Sequence, residues 1–298
     1  MSKRASPMRR ALYWAAAAVT AVAVTGCGGT ASSTSHSAAR APAQRVVILA
    51  TTTSTQDSGL LDVVVPAFEK ASGYRVKTVA VGTGQALKMG RQGNADVLLV
   101  HAPASEETFM EDGYGVDRRI VAHNYFYVVG PASDPAGIKS AGTAAAAFRK
   151  IAASRSTFVS RGDGSGTETK ELAIWSKAGT SPKGRSWYLQ SGQGMGATLQ
   201  IASEKGGYTL TDNATFLTSA SKLELTSLVE KDPFLLNPYH VISVNSAKWP
   251  KVNKAGAKAF ADYITQSKGQ SLIAGFGGDE YDQPLFVADA GKSETELK

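Results

Sequence analysis

Val46-Val47-Ile48-Leu49-Ala50-Thr51-Thr52-Thr53-Ser54-Thr55-Gln56-Asp57-Ser58-Gly59-Leu60 is the stretch on which the fold turns. Its five leading residues are apolar without interruption, as in a strand buried on both faces of a parallel sheet. A hydroxyl loop, 51–54, follows. A helix is expected from about Gln56, with Leu60, Val64 and Phe68 four apart on one face. Pro66 falls inside that helix, so a kink or break is expected there, and Gly73 ends it. The unit then repeats. Residues 74–81 give a second strand, Gly82-Thr83-Gly84 turns into a helix ending near Gly93, and 96–100 give a third strand tipped by His101-Ala102-Pro103. Strand, loop and helix in succession predict an α/β fold with a parallel sheet. Ligands in such sheets bind beyond the carboxyl ends of the strands, and the three loops share that edge.

Further along, 125–130 is an apolar strand before Pro131, and 140–153 is Ala-rich and helical. Residues 157–160 form a strand, and 168–177 a helix ended by Gly179. A strand and turn are expected at 207–212, a strand at 239–244, and helices at 254–266 and 270–275. This order suggests a first α/β unit, an inserted second one and a returning helix. The predicted organisation is one lobe from 44–124 and 240–298, with a second, inserted lobe at 125–239.

The N-terminus is a targeting segment. Arg4, Arg9 and Arg10 precede an apolar stretch, 11–24, which is too short to cross a bilayer comfortably. Val24-Thr25-Gly26-Cys27 then matches a bacterial lipobox. Residues 1–26 are therefore expected to be a lipoprotein signal peptide and Cys27 a lipidation site, where two acyl chains suffice for stable anchoring. Residues 28–43 are mostly Gly, Ser, Thr and Ala, so 27–43 is expected to be a flexible tether. Cys27 is the only cysteine, which leaves no disulfide within the chain. The formal charge of +7 falls to +3 once Lys3, Arg4, Arg9 and Arg10 leave with the leader. That balance, with no basic stripe interleaved with aromatics, argues against a nucleic-acid partner.

The functional signal is Ser160-Arg161-Gly162-Asp163-Gly164-Ser165-Gly166-Thr167-Glu168. A pre-helical loop of this composition offers backbone N–H groups, hydroxyls and one guanidinium, a donor set for a small oxyanion. Ser165 with Glu168, and Thr53 with Gln56, also match capping boxes, so the same hydroxyls could simply cap helices. Arg161 discriminates: its planar fork can grip an oxyanion, or pair with Asp163, or do both. Other motifs fail. The 179–186 segment (GTSPKGRS) has Arg185 where a nucleotide loop needs lysine, and Leu87 replaces the third glycine of a dinucleotide pattern. Asp163 stands where a hydrolase elbow needs glycine. His36, His101, His123 and His240 show no metal spacing. A serine hydrolase using Ser165 with His101 or His240 remains a distant alternative, and a surface lipoprotein without a transport role another.

These strings, together with Ala95-Asp96-Val97-Leu98-Leu99-Val100-His101-Ala102-Pro103, Asn124-Tyr125-Phe126-Tyr127-Val128-Val129-Gly130-Pro131 and Tyr208-Thr209-Leu210-Thr211-Asp212, resemble the tungstate-binding proteins of bacterial ABC importers over nearly all of 46–286. His123 and Tyr125 depart from the family pattern, near the hinge. The 161–167 loop also resembles the anion loop of phosphate-binding proteins. The resemblance implies a two-lobed periplasmic-binding-protein fold of the second type, each lobe a mostly parallel sheet flanked by helices. It implies an extracytoplasmic receptor that closes on tungstate and presents it to ABC permease subunits, without catalysis. Molybdate or phosphate is the alternative ligand, and a monomer is expected. Matching positions imply Thr52, Thr53, Ser54 and Thr83 on one side of the anion, and Arg161, Ser165, Gly166 and Thr167 on the other. No cofactor or metal is expected. An all-donor cage suits an unprotonated dianion, whereas a partly protonated phosphate would gain from an acceptor, for which Asp57 and Asp163 are the nearest carboxylates.

Overall fold

The computed structural model describes residues 45–297. The expected signal peptide, tether and lipidated Cys27 lie outside them. Ten strands run in the order β1 Val46–Thr52, β2 Arg75–Val81, β3 Val97–Val100, β4 Gly115–Gly130, β5 Phe158–Ser160, β6 Tyr188–Gln190, β7 Thr209–Asp212, β8 Thr226–Val229, β9 Leu236–Val244 and β10 Val287–Ala288, among the described residues. The helices are α1 Thr53–Asp57, α2 Leu60–Ser72, α3 Thr83–Arg91, α4 Pro103–Glu111, α5 Ala144–Ser154, α6 Gly166–Lys177, α7 Met195–Glu204, α8 Asn213–Ser219, α9 Lys254–Thr265, α10 Ser267–Gly275 and α11 Gly278–Tyr281.

β2, β1 and β3 are parallel, as the repeated strand–loop–helix pattern requires. β9 then joins β3 antiparallel, β4 joins β9, and β10 joins β4. β4 is long enough to serve two sheets. It pairs with β9 from Gly115 to Tyr125, then with β7 and β8 from Phe126 to Gly130. β5 lies parallel to β6 and bridges through Phe158 to Tyr208, just before β7.

Period-two burial shows why helices cover both faces. Val47, Leu49, Val97, Leu99 and Val241 point into one core with α2, α9 and α10. Ala50, Leu98, Val100, Ile242 and Val244 point into a second core with α3 and Phe109 of α4. Beyond Tyr125 the alternation continues. Phe126 and Val128 join Phe148, Phe158 and Trp175, while Tyr127 and Val129 join Met195, Leu199 and Phe216.

Three sequence expectations are corrected. The helix after β1 does not begin at Gln56 and break at Pro66. It splits earlier, at Gly59, whose φ of 81° closes α1 before α2 begins. α2 then runs through Pro66, which is exposed, and the carbonyl of the exposed Asp62 that loses its partner can bond to water instead. β4 starts ten residues before 125, because Asp117, Arg118, Arg119 and His123 interrupt its apolar pattern, yet the two arginines and His123 find partners off the strand and Asp117 pairs with Arg119. Arg118 pairs with Glu106 and Glu294, Arg119 with Asp117 and Asp262, and His123 with Asp289. α4, α7 and α8 were not anticipated.

Under β5 sits a buried carboxyl. Glu171 of α6 accepts hydrogen bonds from Ser160 Oγ (2.6 Å), Tyr188 Oη (2.8 Å) and Trp175 Nε1 (3.0 Å). Burial outweighs these donors and pushes its pKa up to about 7. A carboxyl that holds its proton longer when folded lowers stability as pH rises from its unfolded value toward 7. Glu171→Gln, which mimics the protonated acid, should therefore lose less stability than the parent between pH 5 and 7.5 in parallel urea titrations. Phe68 is fully buried and packs edge-on to Phe260 and Tyr263. Phe68→Ala should cost about 3–5 kcal/mol of unfolding free energy, read from the same titrations.

Candidate functional site

The hydroxyl loop closes β1 and opens α1. Its N-cap is Thr52 rather than the expected Thr53: Thr52 Oγ1 accepts the Thr55 N–H at 3.2 Å. The shift frees Thr53, whose Oγ1 instead accepts Arg161 Nη2 at 2.8 Å. Thr52 Oγ1 also lies 2.7 Å from Thr55 Oγ1 and 3.1 Å from Ser54 Oγ. Thr52 and Ser54 are both buried.

The Arg161 loop leaves β5 through Gly162 and Gly164, at φ 61° and 71°, a left-handed pair that turns the chain back into α6. Arg161 is 1% exposed. Its Nη2 meets Asp163 Oδ2 at 2.5 Å, so the expected internal ion pair and the contact with the first loop coexist. Asp163 Oδ1 accepts the Ser165 N–H at 3.1 Å. Ser165 caps α6 by accepting from Glu168 N, while Glu168 Oε2 accepts from Gly164 N rather than from the cap residue. The capping box is thus displaced by one residue, and the hydroxyl of Ser165 is engaged with the backbone.

The Thr83 turn brings the loops together. Thr83 Oγ1 accepts the Gly166 N–H at 3.2 Å, and Gly84 N–H donates to Gly164 O at 3.3 Å. A Cβ on Gly82 would stand 3.2 Å from Asp163 O, and one on Gly84 3.1 Å from Gly164 O. These glycines are there because two backbones meet. The N-termini of α3 and α6 face each other at this point, bringing two positive dipole ends together.

All eight predicted binding residues are therefore gathered around one place. Among the described residues, Arg161 Nε, Arg161 Nη1 and Thr167 Oγ1 are buried there with no hydrogen-bond partner. A guanidinium has five N–H donors, so the one on Nε and the two on Nη1 are unspent. Unpartnered buried donors on a cation carry a large desolvation cost that an anion would remove.

Sequence reading placed His101 at the rim but gave it no role in binding, and it missed Asn237, Asp212 and Thr215. His101 Nε2 lies 3.1 Å from Thr52 Oγ1 and 3.2 Å from Ser54 Oγ, and its Nδ1 lies 2.9 Å from Asn237 Oδ1. Burial lowers the His101 pKa to about 4, so the ring is neutral at physiological pH. Asp212 is fully buried, accepts from Thr215 N and Oγ1 at 2.8 Å each, and is pushed up to about 6 by burial. Thr215 Oγ1 also approaches Ser54 O at 3.2 Å, tying α8 to the first loop. Asp57 accepts the Gly196 N–H, and burial raises its pKa. A hydrolytic reading loses its parts here. The two nitrogens of His101 are engaged as described, and His240 belongs to the Glu106–Arg118 cluster.

The comparisons with known proteins agree on one family. Residues 31–268 match the model of the PBP superfamily domain. The tungstate-binding protein TupA of Peptoclostridium acidaminophilum is 46% identical over 274 residues, covering 91% of this chain and 95% of that protein. The solved structure of the tungstate ABC transporter from Geobacter sulfurreducens superposes with a TM-score of 0.72 at 47% identity, covering 78% of this chain and 98% of that one. The tungstate-binding protein TupA of Desulfovibrio alaskensis gives 0.69 at 46% identity, covering 82% and 99%. By its family model, its relatives and its fold, this chain belongs to the PBP superfamily and, within it, to the family of the TupA proteins.

Proposed function

We propose that the chain is an extracytoplasmic solute-binding protein that captures tungstate between the 51–54 loop and the Arg161 loop and delivers it to an ABC importer. One observation carries this reading. Arg161 is buried with three unspent N–H donors, and Thr167 Oγ1 is equally unpartnered beside the N-terminus of α6. Relatives named for tungstate binding, at 46% identity over most of the chain, point to the anion. Thr52, Thr53, Ser54 and Thr83 are the contacts on one side, and Arg161, Ser165, Gly166 and Thr167 those on the other. Ser165 joins by turning its hydroxyl from Glu168 N to the anion. The function is binding, and no bond of the ligand is made or broken.

Tungstate and molybdate are tetrahedral dianions without a proton near neutral pH, so a cage of donors suits both. Phosphate would need an acceptor for its proton. The carboxylates nearest the cage are already engaged: Asp163 with Arg161 and Ser165, Asp57 with Gly196, and Asp212 with Thr215. This favours the unprotonated anions. In this reading two lobes, 44–124 with 240–298 and 125–239, close over the ligand, with β4 and β9 running between them. The closed form, populated by the anion, is what the permease recognises. Acylation at Cys27 would hold a monomeric receptor at the membrane surface; no helix among the described residues is long and apolar enough to span it.

Calorimetric titration with tungstate, molybdate, sulfate and phosphate tests the reading. Tight tungstate or molybdate binding and feeble phosphate binding are expected; the reverse order would overturn it. Arg161→Ala should weaken tungstate binding by about 1.5–3 kcal/mol, roughly 10- to 150-fold. An unaltered affinity in that variant would remove Arg161 from the cage.

A further inference from the structure

His101 does not line the cage by its charge, since the ring is neutral, yet it stands directly behind it. Tyr239 stacks on its ring at 4.7 Å between centroids. A Cβ on Gly166 would lie 3.2 Å from His101 O and 3.4 Å from its Cε1, so the residue also backs the start of α6. The ring is locked in place by both halves of the site, and its two nitrogens face different partners.

The hydrogen-bond polarity of those partners can be worked out. In the amide orientation of the structure, Asn237 Nδ2 lies 2.7 Å from Asn124 Oδ1 and 3.1 Å from Tyr239 Oη, and gives its two protons to them. The amide oxygen of Asn237 is therefore the atom facing His101 Nδ1 at 2.9 Å. An amide oxygen only accepts, so Nδ1 carries the proton, and in a neutral imidazole Nε2 must then accept. Thr52 Oγ1, 3.1 Å from Nε2, already accepts from Thr55 N and lies 2.7 Å from the Thr55 hydroxyl. Taking the Thr55 hydroxyl as the donor of that pair, Thr52 Oγ1 has both lone pairs filled and its own proton goes to Nε2. Nε2 and Thr52 Oγ1 are the two groups within reach that could have taken the Ser54 proton, and both are then occupied. Ser54 is left to direct its proton outward.

Building on the oxyanion-cage reading above, we infer that His101 is a positioning residue. The relay Asn124–Asn237–His101–Thr52 takes up the Thr52 proton and fixes the Ser54 hydroxyl as a donor, and so discriminates a fully deprotonated oxyanion from one that carries a proton. A free hydroxyl both donates and accepts, and could rotate to receive the proton of hydrogen phosphate. The relay removes that freedom. A site built to donate rejects a ligand that also needs an acceptor, because one group is left unpaired on burial.

The test has two arms on the whole protein. Long-range 1H–15N spectra of the uniformly labelled wild type should show His101 as the Nδ1–H tautomer with Nε2 unprotonated at pH 7. An Nε2–H tautomer overturns the relay, and this arm needs no variant. In the second arm, tungstate and inorganic phosphate are titrated by calorimetry into wild type and His101→Gln, whose amide can present either polarity. The ratio of tungstate to phosphate affinity should fall by about tenfold or more in the variant. An unaltered ratio, with both affinities lowered together or neither lowered, assigns His101 a packing role only and sinks the proposal while the tungstate reading stands. A wild type that binds no oxyanion removes the cage and the relay together.

Discussion

A guanidinium withdrawn from water with most of its donors unspent is a strained arrangement, and the rest of the site is organised around that of Arg161. Asp163 neutralises its charge from within the same loop, and Thr53 satisfies one more donor from the 51–54 loop. What remains, Nε and Nη1, is directed hydrogen bonding without a partner. Because a surrounding low dielectric makes each such contact stronger than it would be in water, few contacts are needed, but each must be held in place. The left-handed glycines, the Ser165 cap and the close approach of the α3 and α6 N-termini supply that placement.

The strands beneath the site do the same work at longer range. β4 and β9 lie side by side from Gly115 to Tyr125, and β4 alone continues into the second sheet. Asn124 and Asn237, cross-strand neighbours in that ladder, carry the hydrogen bonds that reach His101. The place where β4 changes partners is thus also the place from which the 51–54 loop is oriented. Arg118, Arg119 and His123 of β4 and His240 of β9 have partners in other elements, so the strands hold together without an unbroken apolar run.

That arrangement explains what sequence could and could not reveal. The parallel β2–β1–β3 unit was legible because β1 opens on, and β3 consists of, an unbroken apolar run, β2 alternates, and the loops after β1 and β2 carry hydroxyl or glycine residues. The Arg161 loop was legible because its glycines, arginine and cap form one contiguous string. Pattern failed where chemistry is tertiary. Arg118, Arg119 and His123 hide the first half of β4, since each has a counter-charge far along the chain, in Glu294, Asp262 and Asp289. The cap of α1 was misplaced by one residue because three threonines in a row offer the same hydroxyl, and only the contact of Thr53 with Arg161 decides among them. His101 was visible at the strand tip. Its meaning depends on Asn237, 136 positions later.

The last residues complete this architecture. β10 adds to β4 through His123 and Ala122, Asp289 takes His123, and Glu294 takes Arg118 beside the buried Glu106. β9 likewise inserts between β3 and β4, although it is made long after both. The central sheet thus stays unfinished until the final stretch of polypeptide arrives. A chain emerging residue by residue from the ribosome would lack these closing clasps, and would set into its final shape only once residues 287–294 had followed.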